Sequence, residues 1–157
     1  KKSKLISLIA SDKRWCSGHK FRHQIAANNY DKVDLWGRAF KKMPEGAKVL
    51  ALAEYSFSIT VENSKGKNYF TEKLIDCFRT GTVPIYWGCP NVGDFFDEGG
   101  IISFNELSEL EEILKNLNFE EYHKRFESVK RNFNLAKQWT SMDDTFAKKL
   151  MEKCGNE

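Results

Sequence analysis

Short apolar runs alternate with amphipathic stretches along this chain, and that alternation sets the expected fold. Leu5-Ile6-Ser7-Leu8-Ile9-Ala10 is a compact apolar run bounded by Lys4 and Asp12, the pattern of a buried central strand. A polar loop follows over 11–18, and then a helix over about 20–29, with Phe21 and Ile25 four apart on one face. Val33, Leu35 and Trp36 read as a second strand that Gly37 ends. The segment 47–54 fits helix by its Ala and Leu content and strand by its brevity, and both readings stand. Tyr55–Val61 alternates and is rich in aromatic and branched residues, a strand signal. After a turn-forming loop over 63–68, the period changes at Thr71. Leu74, Ile75, Cys77 and Phe78 make one helical face, which Gly81 stops.

Val83–Trp87 resumes as a short strand with Pro84 near its start, where proline is tolerated. Phe95-Phe96 belongs to a short turn or helix, and Gly99-Gly100 leads into a strand over 101–104. Ser108 is placed to cap a helix containing Leu110, Ile113, Leu114 and Leu117. A further helix is expected over 120–132 with Tyr122, Phe126 and Val129 inward. Ser141 and Asp144 resemble a capping box before a last helix carrying Phe146, Leu150 and Met151. Strand, loop, helix, strand opens a βαβ unit, so the chain reads as α/β: a Rossmann-like, mostly parallel sheet with flanking helices. Ligands of such a sheet sit beyond the C-terminal ends of its strands.

Composition narrows the function classes. The 157 residues fit one domain, and 41% apolar with 30% charged residues is a folded, soluble balance. Lys and Arg number 25 against 22 Asp and Glu, interleaved through the chain, so the net +3 leaves no nucleic-acid footprint but allows one local anion site. No run approaches the length of a membrane span, and the apolar stretch after Lys1-Lys2-Ser3-Lys4 is too short for a secretory signal. A first residue that is Lys, set directly before a strand-like run, is expected of an excised domain or a processed chain. Cys16, Cys77, Cys89 and Cys154 form no CxxC pair, which argues against zinc and for free thiols, with Cys77 buried. Asp94 and Asp97 lack a third ligand, and no HExxH or GxSxG pattern is present, so metal and Ser-nucleophile chemistry are unsupported.

The chemistry concentrates in Glu62-Asn63-Ser64-Lys65-Gly66-Lys67-Asn68-Tyr69-Phe70-Thr71-Glu72-Lys73, which joins a strand to a helix start. Helix-start amides can face an anion there. A first-turn cation is unfavourable to the helix dipole unless it meets an anion, which makes Lys73 a candidate phosphate contact beside the reading of a solvated lysine. Glu72 suits the dipole and, if a ligand is present, its hydroxyls. Asn63 either binds ligand hydroxyls or braces the loop as an Asx turn, and Tyr69 either lines the pocket rim or staples the helix. Glu62 either pairs with a cation or satisfies loop amides. Gly-Lys without a following Ser or Thr is not a Walker loop. Upstream, Lys13, Arg14, His19, Lys20 and Arg22 form either a diphosphate-reaching cluster or an ordinary charged loop.

Three blocks taken together resemble the α-1,3/1,4-fucosyltransferase family: Tyr55-Ser56-Phe57-Ser58-Ile59-Thr60-Val61-Glu62-Asn63, Tyr69-Phe70-Thr71-Glu72-Lys73-Leu74 and Gly81-Thr82-Val83-Pro84-Ile85-Tyr86-Trp87-Gly88. Ile6 to Ser11 and Lys32 to Arg38 resemble its other landmarks, and the likeness spans about residues 3–104. The resemblance implies the C-terminal, donor-binding half of a two-domain GT-B glycosyltransferase. Its donor is GDP-fucose, with no metal required, and transfer goes with inversion to a hydroxyl of N-acetylglucosamine or glucose in a glycan. The glycan acceptor and the catalytic base would belong to an N-terminal domain outside this chain. Asn63, Tyr69, Glu72 and Lys73 match the family's donor-binding positions. The family also carries a basic residue, usually Arg, in the helix after the first strand. Counting from Ser11 puts it near Gly18, whereas the basic residues here are Lys20 and Arg22, of which Arg22 is favoured. That departure leaves room for a related nucleotide-sugar donor, and a non-catalytic nucleotide-binding domain is the remaining alternative.

Overall fold

The computed structural model describes residues 2–40, 43 and 48–139. Five strands form one sheet, in spatial order β2-β1-β3-β4-β5, with every neighbouring pair parallel: β1 Lys4–Ile9, β2 Asp34–Trp36, β3 Tyr55–Val61, β4 Val83–Trp87 and β5 Ile102–Ser103. The crossovers carry α1 Ser17–Asn28, the single turn α2 Leu50–Ala53, and α3 Glu72–Arg79; α4 Leu107–Asn116, α5 Phe119–Lys124 and α6 Phe126–Ala136 follow the sheet. From β1 the chain moves outward to β2, then returns across β1 to β3 and continues the other way. The crevice between the C-terminal ends of β1 and β3 is therefore the topological switch point.

The sheet's two faces differ. Ile6, Leu8, Phe57, Ile59, Val83 and Ile85 join Ile25 of α1, Leu110 of α4 and Tyr122 of α5 in one apolar cluster. On the other face Tyr86 packs with Leu74, Ile75 and Phe78 of α3. At the centre, however, that second face is built of small hydroxyls. Ser7 donates to Ser58 across the strands (3.1 Å), and Thr60 Oγ1 lies 3.2 Å from the Cys77 thiol. All seven residues of β3 are buried, yet half of its alternation is polar and short, which leaves room above it.

Helix α3 shows why its sequence starts and stops where it does. Thr71 is the N-cap, its hydroxyl accepting from the Lys73 amide, and four apolar side chains are buried along one stripe. At the other end Gly81 adopts φ 64°, and the amides of Gly81 and Thr82 donate to Phe78 and Cys77 carbonyls, the paired bonds of a Schellman ending.

Several expectations need correction. Helix α1 begins at Ser17, inside the segment read as loop, and the ambiguous segment yields one helical turn, α2. The fifth strand shrinks to Ile102–Ser103. Ser108 does not cap α4: the N-cap is Glu106, and Glu109 reaches back instead to the Asn105 amide (2.8 Å). Leu117 falls just outside that helix as its C-cap. The helix expected over 120–132 is two, broken at Arg125, and Phe126 is exposed rather than inward. The inward face of α6 carries Ser128 and Asn132, because it packs on bare backbone. Asn132 bonds both the amide and the carbonyl of Asp97 at 2.8 Å, and a Cβ on Gly100 would stand 2.6 Å from its Nδ2. The capping box at Ser141 and Asp144 and the last helix lie outside the described residues, as does Cys154. Cys16, Cys77 and Cys89 are free thiols. Burial pushes the Cys77 thiol up to about 12, which keeps it protonated and unreactive. Among the described residues no helix is long and apolar enough to cross a membrane.

Candidate functional site

A cavity of about 340 Å³ opens at the switch point. Ile9 and Ser11 at the end of β1 and Ser58 to Val61 of β3 form its floor, and side chains from α1, α3 and the turn before α2 form its walls. Four cations, Lys13, Arg22, Lys48 and Lys73, line it against one carboxylate, Glu72. Such a concave, low-dielectric wall of one sign concentrates anions.

One buried carboxylate organises the mouth. Glu62 is completely buried at the end of β3. Its Oε1 accepts from the Thr71 amide (2.9 Å) and its Oε2 from the Thr71 hydroxyl (2.6 Å), while Lys73 Nζ stands 3.6 Å from Oε2. The two roles left open for Glu62, a cation partner and an acceptor for loop amides, are both filled. These bonds fix the first turn of α3 to β3. Thr71→Val removes the cap and one charge-assisted bond together and is expected to cost about 1–2 kcal/mol. Thr71→Ser is expected to restore most of that loss. Thermal unfolding of both variants checks it.

Lys73 is half-buried at this corner. Its Nζ receives company from Thr71 Oγ1 (3.1 Å), Glu62 and Glu72 Oε1 (3.5 Å). Burial pushes the Glu72 carboxyl up, but Lys73 and Lys48 outweigh it and hold the group below its ordinary value, so it is ionised at neutral pH. Lys48 in turn pairs with Asp76 at 2.6 Å.

Arg22 is the unusual cation. It is 6% exposed, its Nε donates to the Gly18 carbonyl (3.2 Å) and its Nη2 to Asn63 Oδ1 (2.8 Å). No carboxylate pairs with it among the described residues, and burial pulls its pKa below the ordinary value. Asn63 thus uses its side chain to aim Arg22 rather than to close an Asx turn, while its carbonyl accepts from the Gly18 amide (3.0 Å) and the Ser17 hydroxyl (3.3 Å). A Cβ on Gly18 would come within 1.8 Å of the Glu62 carbonyl oxygen, so no side chain fits where family spacing puts an arginine. Arg22, one turn later on the same face, reaches the cavity instead.

The expected site residues divide accordingly. Asn63, Glu72, Lys73 and Arg22 line one cavity. Tyr69 is half-buried outside the lining, close enough to Glu62 and Glu72 that burial first and then their charges raise its hydroxyl pKa. The residue packed at the start of α3 in the staple position is Phe70, clustered with Ile75. Lys20 is exposed and lies outside the lining, as does Arg14. Lys48 was missed because it sits in the segment whose structure the sequence left open. Asp94 accepts from Asn91, and Asp97 caps a 3₁₀ turn and pairs with Arg131. Among the described residues no three His, Cys, Asp or Glu side chains are grouped to hold a metal ion.

Comparison with known proteins agrees with this architecture. The family model for the C-terminal part of glycosyltransferase family 10 (fucosyltransferase) matches residues 1–156. An α-(1,3)-fucosyltransferase of Helicobacter pylori is 33% identical over 73 residues, 46% of this chain and 15% of that protein. An α-(1,4)-fucosyltransferase of Arabidopsis thaliana is 36% identical over 81 residues, 46% of this chain and 20% of that protein. The crystal structure of an α1,3-fucosyltransferase with GDP-fucose superposes with a TM-score of 0.62 at 25% identity, covering 82% of this chain and 39% of the other. The GDP complex gives 0.63 at 24% identity, covering 82% and 38%. This chain thus spans a fifth or less of those two curated relatives and under two fifths of those structures. Its fold, its motifs and the nearly full-length match to the family model agree: the chain belongs to glycosyltransferase family 10, the fucosyltransferases.

Proposed function

We propose that this chain is the nucleotide-sugar-binding half of an inverting fucosyltransferase and that GDP-fucose sits at the C-terminal ends of β1 and β3. The observation that carries the reading is Arg22, a nearly buried guanidinium on the cavity wall with no carboxylate partner among the described residues. A buried cation without a counter-ion is costly, and a diphosphate supplies the planar pair of oxygens that a guanidinium binds best. The related structure solved with GDP-fucose supports the choice of ligand.

In this reading Arg22 and Lys73 hold the diphosphate. Asn63 keeps Arg22 aimed, and Glu72, ionised and half-exposed, accepts from sugar or ribose hydroxyls. Tyr69 offers its ring and hydroxyl at the rim; Lys20 takes no part. An acceptor oxygen attacks the anomeric carbon as the bond to the β-phosphate oxygen breaks, and the electron pair leaves with GDP. The two cations stabilise that developing charge. The proton of the acceptor hydroxyl goes to a carboxylate base, which the reading assigns, with the glycan acceptor, to a domain N-terminal to this chain. Calorimetric titration with GDP-fucose, GDP-mannose, GDP and UDP-sugars tests the donor site. GDP-fucose is expected to bind at least about tenfold tighter than the UDP-sugars. Equal affinity across the panel would remove the reading.

A further inference from the structure

Neither nitrogen of the His19 imidazole makes a hydrogen bond among the described residues, although the side chain is 6% exposed and lines the cavity. The Trp15 indole packs against the ring at a right angle, with centroids 5.5 Å apart. Nδ1 is sealed without a partner, whereas Nε2 is not sealed and is the nitrogen left to face the cavity. A neutral imidazole carries its one proton on either nitrogen, and a buried N–H without an acceptor is the rarer and costlier arrangement. The proton therefore belongs on Nε2, and the ring offers the cavity an N–H.

The surroundings call for an anionic acceptor there. His19 is the third residue of α1 and stands three positions before Arg22, on the same helix face, so both side chains can reach one ligand. α1 opens with no side-chain cap and no acidic residue in its first turn, which leaves the positive end of the helix uncompensated. Lys13 of the β1–α1 loop, Arg22 and His23 of α1 and Lys73 of α3 act on the ring from three sides. Burial first, and then these groups, hold the imidazole below its ordinary value of 6.5, so it stands neutral at pH 7. The carboxylates of the site, Glu62 and Glu72, are taken by Lys73. A neutral donor set among cations, with no acceptor of its own, fits the oxygen of an anion.

Resting on the donor-site reading, we propose that His19 is a third ligand of the diphosphate, beside Arg22 and Lys73: its neutral ring donates Nε2–H to a phosphate oxygen, with no change of protonation on binding. The sealed Nδ1 fixes which nitrogen carries the proton, so the donor is in place before the ligand arrives. The bond strengthens as the sugar–oxygen bond breaks and negative charge grows on the leaving GDP.

Titration calorimetry of the chain with GDP-fucose, on native protein and two variants, tests the contact. His19→Leu removes the donor at similar volume and is expected to weaken binding about tenfold, the loss of one hydrogen bond to a charged group. Its thermal stability is expected to match or exceed that of native protein, because a sealed, unpartnered nitrogen goes with the ring. His19→Gln places an N–H near the Nε2 position and is expected to bind within about threefold of native. Should folded His19→Leu bind as native does, or His19→Gln bind as weakly as His19→Leu, the contact is overturned while the donor site stands. If native protein does not bind GDP-fucose, the donor reading falls and takes the contact with it. Should the variants not fold, the imidazole nitrogen and proton resonances of native protein decide alone. Nε2 is expected to carry the only ring proton before and after GDP-fucose is added, and its N–H resonance to move on addition. A proton on Nδ1 in either state, or an Nε2–H resonance that does not respond, overturns the proposal.

Discussion

Lys73→Ala is expected to weaken GDP binding by about 10- to 100-fold, the loss of one or two charge-assisted contacts at about 1.4 kcal/mol per factor of ten. The direction follows from where Lys73 stands: second residue of α3, in a turn where the helix dipole disfavours a cation, on the cavity wall, with Glu62, Glu72 and Thr71 sharing its ammonium. Those partners hold it ready without neutralising the cavity, because Glu62 is also bound by Thr71 through two bonds. For the same reason the variant should fold. Glu62 keeps the Thr71 amide and hydroxyl, and the Tyr86 hydroxyl at 3.5 Å, so removal of the ammonium does not strand a bare carboxylate. Lys73→Arg is expected to recover part of the affinity, since it restores the charge but not the compact geometry. Calorimetry with GDP, paired with thermal unfolding, separates the two outcomes. Unchanged affinity in a folded Lys73→Ala protein would place the phosphates elsewhere.

The central sheet and α3 were legible in the sequence because local and tertiary signals agree there. The runs at Leu5 and Val83 are short and apolar and Tyr55–Val61 alternates with aromatic and branched residues, each the pattern of a strand, and Thr71 and Gly81 mark both ends of α3 through backbone chemistry that needs no tertiary information. The co-location of Asn63, Glu72 and Lys73 followed from their place between a strand end and a helix start. Arg22 was harder. The sequence shows a basic residue displaced from the family's position but not the reason, which is the backbone of Glu62 lying against Gly18. The C-terminal helices misled for a related reason. Hydrophobic periodicity assumes that an inward face is apolar, whereas α6 turns Ser128 and Asn132 onto the exposed peptide groups around Asp97, Gly99 and Gly100. Phe126 and Phe133 are left outward, and no count of apolar spacing reports that a glycine pair on a distant segment wants a hydrogen-bonding partner.

Gly18→Ala is expected to be strongly destabilising. The added Cβ would lie 1.8 Å from the Glu62 carbonyl oxygen and 2.9 Å from Asn63 Cα, both backbone atoms that no rotamer change can clear. Relief requires the first turn of α1 to lift off the end of β3 by more than an ångström. That motion breaks the Gly18 amide bond to the Asn63 carbonyl and carries Arg22, hinged on the Gly18 carbonyl and Asn63 Oδ1, away from its place. Overpacking of this kind costs about 3 kcal/mol or more when the obstruction is rigid, which in a chain of this size lowers the melting temperature by about 6–12 °C. Any protein that still folds is expected to bind GDP more weakly, because the same displacement misplaces Arg22. Gly66→Ala is the matched control. Its Cβ would meet only Tyr69 Cβ at 3.5 Å, an ordinary contact, and its melting temperature is expected to stay within about 1 °C of native. Thermal unfolding of both variants tests the packing, and a Gly18→Ala protein as stable as the Gly66 variant would mean that α1 does not rest on β3 as described.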